Sequence, residues 1–151
     1  MSCTIHQGRQ LSVNWTNGYG HLDLRARQET PVYGLCKDLD LNFLNGRQVI
    51  QVAIAVYQIQ FSFDEEVTIY VHSQFGYFDG HDEWVWTPAP GGAQIAARAV
   101  ALLGATVESF QGHEDGTLKL IFSNGQHLTI LDNSKEYESY DITRPGSTIV
   151  V

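Results

Sequence analysis

The chain of 151 residues contains few cysteines, and their scarcity excludes one class of protein. Its two cysteines, Cys3 and Cys36, are too few for a small domain held together by several disulfides. We expect both thiols to be free in a reducing cytoplasm, and a disulfide between them is the alternative.

Positive charge is also scarce. Nine Lys and Arg residues face seventeen Asp and Glu residues, which gives a formal net charge of −8. Proteins bind DNA and RNA through clustered basic residues that release counterions, so we expect no nucleic-acid partner. The acidic excess lies in residues 42–151, where it either favours a partner with a basic surface or only keeps the protein soluble.

Long apolar runs are missing as well. No run approaches the roughly 20 residues that span a bilayer, and residues 1–10 lack the basic and apolar regions of a signal peptide. We therefore predict a cytoplasmic protein without a membrane partner. Hydrophobic residues make up 43% of the chain and charged residues 17%, which is the balance of a folded domain with a packed core.

Two regions differ in pattern. Residues 1–38 carry only short alternating stretches around Asn17-Gly18, a good hairpin turn, so they are predicted to be an N-terminal extension or a hairpin arm. Residues 39–151 are predicted to form a single α+β domain.

The domain is rich in period-2 patterns. Each pattern puts one face of a strand in the core and the other in water. One helix is predicted over about 93–103, with Gly104 as its C-cap. The predicted fold is an antiparallel sheet made of two three-stranded meanders, with the helix on one face. Strands are predicted over 49–56, 57–63, 67–72, 106–110, 118–122, 127–131, 138–143 and 147–151.

The two meanders indicate an internal repeat. A chance likeness between any two meanders is the alternative interpretation, because meanders share turns and alternating apolar residues. The matching pattern consists of Leu44, Gly46, Val49, Phe63, Val67 and Ile69 in the first half and Leu103, Gly104, Val107, Phe122, Leu128 and Ile130 in the second.

The segment 75–86 is the most unusual in the chain, with five aromatic and three acidic residues around two glycines. We interpret it as a long connection that either recognises a partner or covers the core. Aromatic side chains give large contact areas at low entropic cost, and neighbouring acids attract cationic or hydroxyl-rich groups. The predicted binding residues are Tyr77, Phe78, Asp79, His81, Asp82, Glu83, Trp84 and Trp86.

Positive evidence for catalysis, metal or cofactor is lacking. Asp79, His81, Asp82 and Glu83 match no EF-hand or zinc spacing, so we predict no metal and no cofactor. The chain contains no phosphate-binding loop, nucleophile elbow or metalloprotease helix. An enzyme using His81 with Asp79 or Glu83 remains an alternative, and it requires an apolar pocket that shifts their pKa values.

Four motifs lie in residues 39–151. They are Leu44-x-Gly46-Arg47-x-Val49-x-Gln51-Val52, Tyr57-Gln58-x-x-Phe61-x-Phe63, Phe122-Ser123-Asn124-Gly125 and Tyr137-Glu138-Ser139-Tyr140. With these motifs the chain resembles, over about residues 39–151, a family of small uncharacterised bacterial domains. The motifs concern turns and core positions, so the resemblance implies a fold rather than an activity or a set of catalytic residues. Some small acidic domains of this sort are similar to immunity proteins of bacterial toxin systems, by analogy.

These observations favour a non-enzymatic binding protein. The leading hypothesis is an immunity-type inhibitor whose acidic face covers a basic toxin, since complementary charge speeds such encounters. The alternative is a small-ligand or carbohydrate-binding domain that uses the segment 75–86, with a ring stacked on Trp84 or Trp86. A homodimer formed through open sheet edges is a further expectation.

Overall fold

The computed structural model describes residues 5–7, 34–36 and 38–151. Within them the chain forms eleven strands, all paired antiparallel. The strands are β1 (Ile5–Gln7), β2 (Val49–Ile54), β3 (Ile59–Phe63), β4 (Thr68–Val71), β5 (Phe75–Phe78), β6 (Glu83–Trp86), β7 (Val107–Gly112), β8 (Leu118–Phe122), β9 (His127–Ile130), β10 (Tyr140–Arg144) and β11 (Ser147–Val150).

The helical part is shorter than the sequence predicts. The α-helix α1 covers only Ala93–Ala96, and it continues as a 3-10 helix over Ala97–Leu102. No side chain caps its N-terminus, and Gly104 turns the chain away with a positive φ of 83°. A first 3-10 helix, Asn42–Leu44, occupies the corresponding place before β2 and was not predicted.

The predicted single sheet is wrong, because the strands divide into two. The first sheet has six strands in the order β1-β11-β10-β4-β3-β2, and the second has five in the order β6-β5-β9-β8-β7. The two predicted meanders exist as β2-β3-β4 and β7-β8-β9, one in each sheet. The prediction of an antiparallel fold with little helix is therefore confirmed, while each sheet contains more than its meander.

The two meanders have the same register. Val49 pairs with Phe63 before a bulge, and Val107 pairs with Phe122 before a bulge at the same point. The next strands also match, since Ile59 faces Val71 as Leu118 faces Ile130. The chain therefore contains two structurally equivalent halves.

The last hairpin of each half pairs with the meander of the other half. Hairpin β5–β6 follows β4 in the chain but pairs with β9, and hairpin β10–β11 follows β9 but pairs with β4. The registers agree again, because Gly76 lies between Val85 and Thr129 as Asp141 lies between Val150 and Tyr70. Neither sheet is complete without a hairpin from the other half.

One hydrophobic core fills the space between the sheets. Phe61 of the first sheet meets Phe75 of the second edge to face, with ring centroids 5.9 Å apart. Both halves contribute equivalent buried residues from alternate positions of their strands, as the period-2 patterns predict. They include Ile59, Phe61, Phe63, Ile69 and Val71 from the first half and Leu118, Leu120, Phe122, Leu128 and Ile130 from the second.

Residues before the first 3-10 helix attach to the second half. The Gly34 N–H donates to Asp132 Oδ2 at 2.9 Å, and Leu35 and Leu41 are buried. Cys36 is disulfide-bonded, so the prediction of free thiols is wrong for this residue. Cys3 and most of the predicted arm 1–38 lie outside the described residues.

Among the residues that the structure describes, no helix has both the length and the apolar character needed to cross a membrane.

Candidate functional site

The segment 75–86 is a β-hairpin and not the long connection that the sequence predicts. Strands β5 and β6 pair from Phe75–Trp86 to Phe78–Glu83, and residues 79–82 form the turn. Asp79 holds this turn, since one carboxylate oxygen accepts the N–H groups of His81 at 2.8 Å and Asp82 at 2.7 Å. These two hydrogen bonds hold the pKa of the Asp79 carboxyl below its usual value.

Two of the predicted binding residues belong to the core. Trp86 is 0% and Tyr77 1% exposed, so neither side chain is accessible to a partner. Trp84 is partly buried against the core, and the Arg98 guanidinium lies 3.4 Å from the centroid of its ring. A sugar stacked on Trp86 would therefore require the core to open.

The alternate residues of the hairpin, Gly76 and Phe78 on β5 and Glu83 and Val85 on β6, lie on the outer face of the second sheet. The registers align outward-facing residues of β6, β5, β9 and β8 in two neighbouring rows. The first row is Val85, Gly76, Thr129 and Lys119, and the second is Glu83, Phe78, His127 and Ile121.

A groove of about 300 Å³ lies between these rows. Its floor is open because Gly76 has no side chain and Thr129 has a small one. The rings of Phe78 and His127 form a wall, with centroids 5.2 Å apart. The lining residues are Gly76, Phe78, Glu83, Lys119, His127 and Thr129.

In the first sheet, larger side chains occupy the positions equivalent to the floor of the groove. Asp141 occupies the position equivalent to Gly76, and Tyr70 occupies the position equivalent to Thr129. The Asp141 carboxylate lies 3.5 Å from His72 Nε2 across that surface. The groove therefore follows from small residues at two particular positions and not from the fold itself.

The groove carries one group of each charge. Among the described residues, neither Glu83 nor Lys119 has an ion-pair partner within 4.0 Å. Glu83 leans over the floor, with Oε1 3.1 Å from where a Cβ on Gly76 would lie. Lys119 lies three strands away on β8, about 14 Å by the usual strand spacing.

His127 stands between them as a neutral ring. Burial lowers the pKa of its imidazole below 6.5, and the positive charge of Lys119 lowers it further. The groove at neutral pH thus offers an ammonium, a carboxylate, a neutral imidazole, a phenyl ring and a hydroxyl.

The sequence analysis identified two of these lining residues, Phe78 and Glu83. It missed Lys119, His127 and Thr129, which come from the other half, and it gave Gly76 no role. In the sequence, these residues are distinguished only as charged, aromatic or polar residues on the solvent-facing side of a strand. Such residues are too common on protein surfaces to identify a site.

Of the residues in the enzyme alternative, Glu83 lines the groove, while His81 and Asp79 lie in the turn of the hairpin. His81 and Asp82 are exposed at the tip of the hairpin, with His81 Nδ1 3.2 Å from Asp82 Oδ1. Asp79 is occupied by the backbone of its own turn. Of the described part of the chain, no three His, Cys, Asp or Glu side chains converge as metal ligands would.

Comparison with known proteins gives a family and no activity. The model of the family of unknown function DUF6188 matches residues 41–151, which includes every residue that lines the groove. No curated protein matches the chain, and neither does any solved structure.

Proposed function

The chain belongs to DUF6188, a family of unknown function, and from its geometry we propose that it is a non-enzymatic binding protein whose site is the groove over Gly76. The observation that carries this proposal is that small residues line the groove where the equivalent positions of the other sheet carry larger ones. Where the first sheet has Asp141 and Tyr70, the second has Gly76 and Thr129. The same backbone arrangement therefore carries larger side chains at these positions in the first sheet and a groove in the second.

The size of the groove suits a small ligand. Its volume of about 300 Å³ is at the lower end of the range for small-molecule sites, about 300 to 1,000 Å³. A compact molecule or a single side chain of a larger partner fits such a space.

The charges define the ligand further. Glu83 would accept an ammonium or guanidinium group at one end of the groove, and Lys119 would bind a carboxylate or phosphate at the other. Phe78 and His127 would contact the body between these groups. The ligand class that matches these contacts is a small zwitterion.

Ligand-observed NMR with a panel of free amino acids and short dipeptides tests the proposal. We expect zwitterions to bind and neutral sugars of similar size not to bind. Lys119→Gln and Glu83→Gln should each weaken binding about tenfold or more, since a charge-assisted hydrogen bond contributes about 1.5–3 kcal/mol. Glu108→Gln removes a carboxylate from edge strand β7 of the same sheet and is the matched control. Failure of every zwitterion to bind, or equal loss in the control, would contradict the proposal.

An immunity-type inhibitor of a toxin is the second candidate. The net charge of −8 and the exposed Asp82 at the β5–β6 turn favour a partner with a basic surface. Asp82→Lys at the tip should lower affinity for such a partner, and binding should weaken as salt rises. Glu136→Lys changes the same charge at an exposed position outside the hairpin and is the control. A partner that binds both variants equally would not be using the tip.

A further inference from the structure

We propose that the outer edge of β2 pairs with the β2 of a second copy, which gives a homodimer with one continuous sheet across its twofold axis. This inference does not depend on the groove, which lies on the other sheet. It starts from the difference between the two equivalent sheet edges, β2 and β7.

The surroundings of β7 are polar, while those of β2 are apolar. The bulged residue is Glu108 in β7 and Ile50 in β2. Ile50 is 59% exposed, and Leu103 and Val100 in the adjoining 3-10 region are 47% and 39% exposed. Their equivalents before β2 are the exposed Asn45 and Asn42, as the matching turn hydrogen bonds show.

The apolar residues of this edge lie next to one another. The Gly104 N–H donates to the Val49 carbonyl at 2.8 Å, which puts Leu103 beside the start of β2. Ile54 is also exposed at 36%, at the other end of the strand. A single apolar residue on a surface needs no explanation, but a cluster at an open sheet edge indicates an interface.

The backbone of β2 offers hydrogen bonds to an added strand. The Ala55 N–H donates to the Gln58 carbonyl at 2.8 Å, and hydrogen-bonded pairs alternate along an antiparallel ladder. Ile54 and Val52 therefore turn their N–H and C=O groups away from β3. The start of this edge is occupied, since the Val49 N–H donates to the Ala105 carbonyl and Gln48 forms a bridge with Thr106. From Gln51 to Ile54, no strand among the described residues pairs with β2 on that side.

Charge identifies a second copy as the partner. The chain has no charged residue from Gln48 to Phe63, in a protein with a net charge of −8. Two β2 edges that meet bring only uncharged residues together, so the strand pair adds no repulsion between like charges. A twofold axis at Ala53 pairs Val52 of each copy with Ile54 of the other, and the small Ala53 side chains allow the close approach of a non-hydrogen-bonded pair.

Sedimentation equilibrium of the full chain over about 1 to 200 µM tests the dimer. We expect twice the chain mass of 16.9 kDa at the upper end. Ala53→Glu should raise the dimer dissociation constant about tenfold or more, because the two carboxylates would face each other. Gln111→Glu is the matched control, since Gln111 has the equivalent place on β7.

A second variant keeps the test independent of the folding of the first. Val100→Asn with Leu103→Asn copies the polar residues of the other half and should also weaken the dimer, with an unchanged far-UV spectrum. A monomer at every concentration overturns the proposal, and so does a dimer that Gln111→Glu weakens as much as Ala53→Glu. Loss of zwitterion binding would not affect either result.

Discussion

Gly46 and Gly104 occupy equivalent positions, and each donates a hydrogen bond to a valine at the start of the opposite edge strand. Gly46 donates its N–H to the Val107 carbonyl and Gly104 donates to the Val49 carbonyl, both at 2.8 Å. Both glycines have a positive φ, 78° and 83°. Two crossed contacts of equal length therefore join the sheets at one point.

The first prediction concerns these two glycines. Gly46→Ala and Gly104→Ala should each lower the free energy of unfolding by about 1–2 kcal/mol, because a side chain is strained at positive φ. No atom lies within 4 Å of either added Cβ, so strain is the only cost expected. Urea unfolding measures the change. Gly46→Asn is the control, because asparagine tolerates positive φ better than alanine and should lose less stability; a loss equal to that of Gly46→Ala would contradict the reasoning.

The second prediction compares two buried tyrosines. The Tyr140 hydroxyl donates to the Gly116 carbonyl at 2.5 Å, and burial raises its pKa far above 10.0. Tyr140→Phe should lower the free energy of unfolding by about 1–2 kcal/mol, since it leaves a buried carbonyl without its donor.

Tyr77→Phe should change stability by less than about 0.5 kcal/mol. Among the residues that the structure describes, the buried Tyr77 hydroxyl has no hydrogen-bond partner. Thermal unfolding of both variants makes the comparison. Equal losses in the two variants would show that ring packing, and not the hydrogen bond, determines the effect.

The third prediction concerns pH. The pKa of His127 is lowered in the folded protein, so the folded state resists protonation of this ring. Above pH 6.5 the ring is neutral in both the folded and the unfolded state, so the lowered pKa does not affect stability there. The free energy of unfolding should fall as the pH drops from 6.5, the pKa in the unfolded chain, to the lower pKa of the folded protein. NMR titration of the imidazole should give a midpoint below 6.5. Lys119→Gln should raise that midpoint towards 6.5, and an unchanged midpoint would show that Lys119 does not act on the ring.

The fourth prediction concerns the ring of Trp84. Arg98→Ala should lower the free energy of unfolding by about 0.5–1 kcal/mol and change tryptophan fluorescence, because the guanidinium covers the ring. Arg98→Lys keeps the charge but loses the planar stack, so it should recover only part of the loss. Full recovery by lysine would indicate that charge alone stabilises this contact.

Much of the fold follows from period-2 patterns. Strand β8 has the predicted bounds, and eight strands were expected close to where they lie. Hairpin β5–β6 was missed because its outward positions do not read as polar. Phe78 and Val85 face outwards and Gly76 has no side chain, so the alternation disappears.

The groove could not be predicted for a different reason. Glu83 and Phe78 meet Lys119 and His127 only because the hairpins change sheets, and the two sets of residues are far apart in the chain. Period-2 patterns report the face on which a residue lies but not the strand beside it. Nothing in the residue pattern of β5 and β6 indicates that this hairpin pairs with β9 rather than with β4.

Because each half pairs its last hairpin with the other half, the halves should associate without a covalent connection between them. Residues 87–92 link β6 to α1, and several of them are exposed. A chain cut within this link would leave two fragments, each holding strands that the other requires. The two fragments should therefore associate in solution and fold together into the native structure, while either fragment alone stays unfolded.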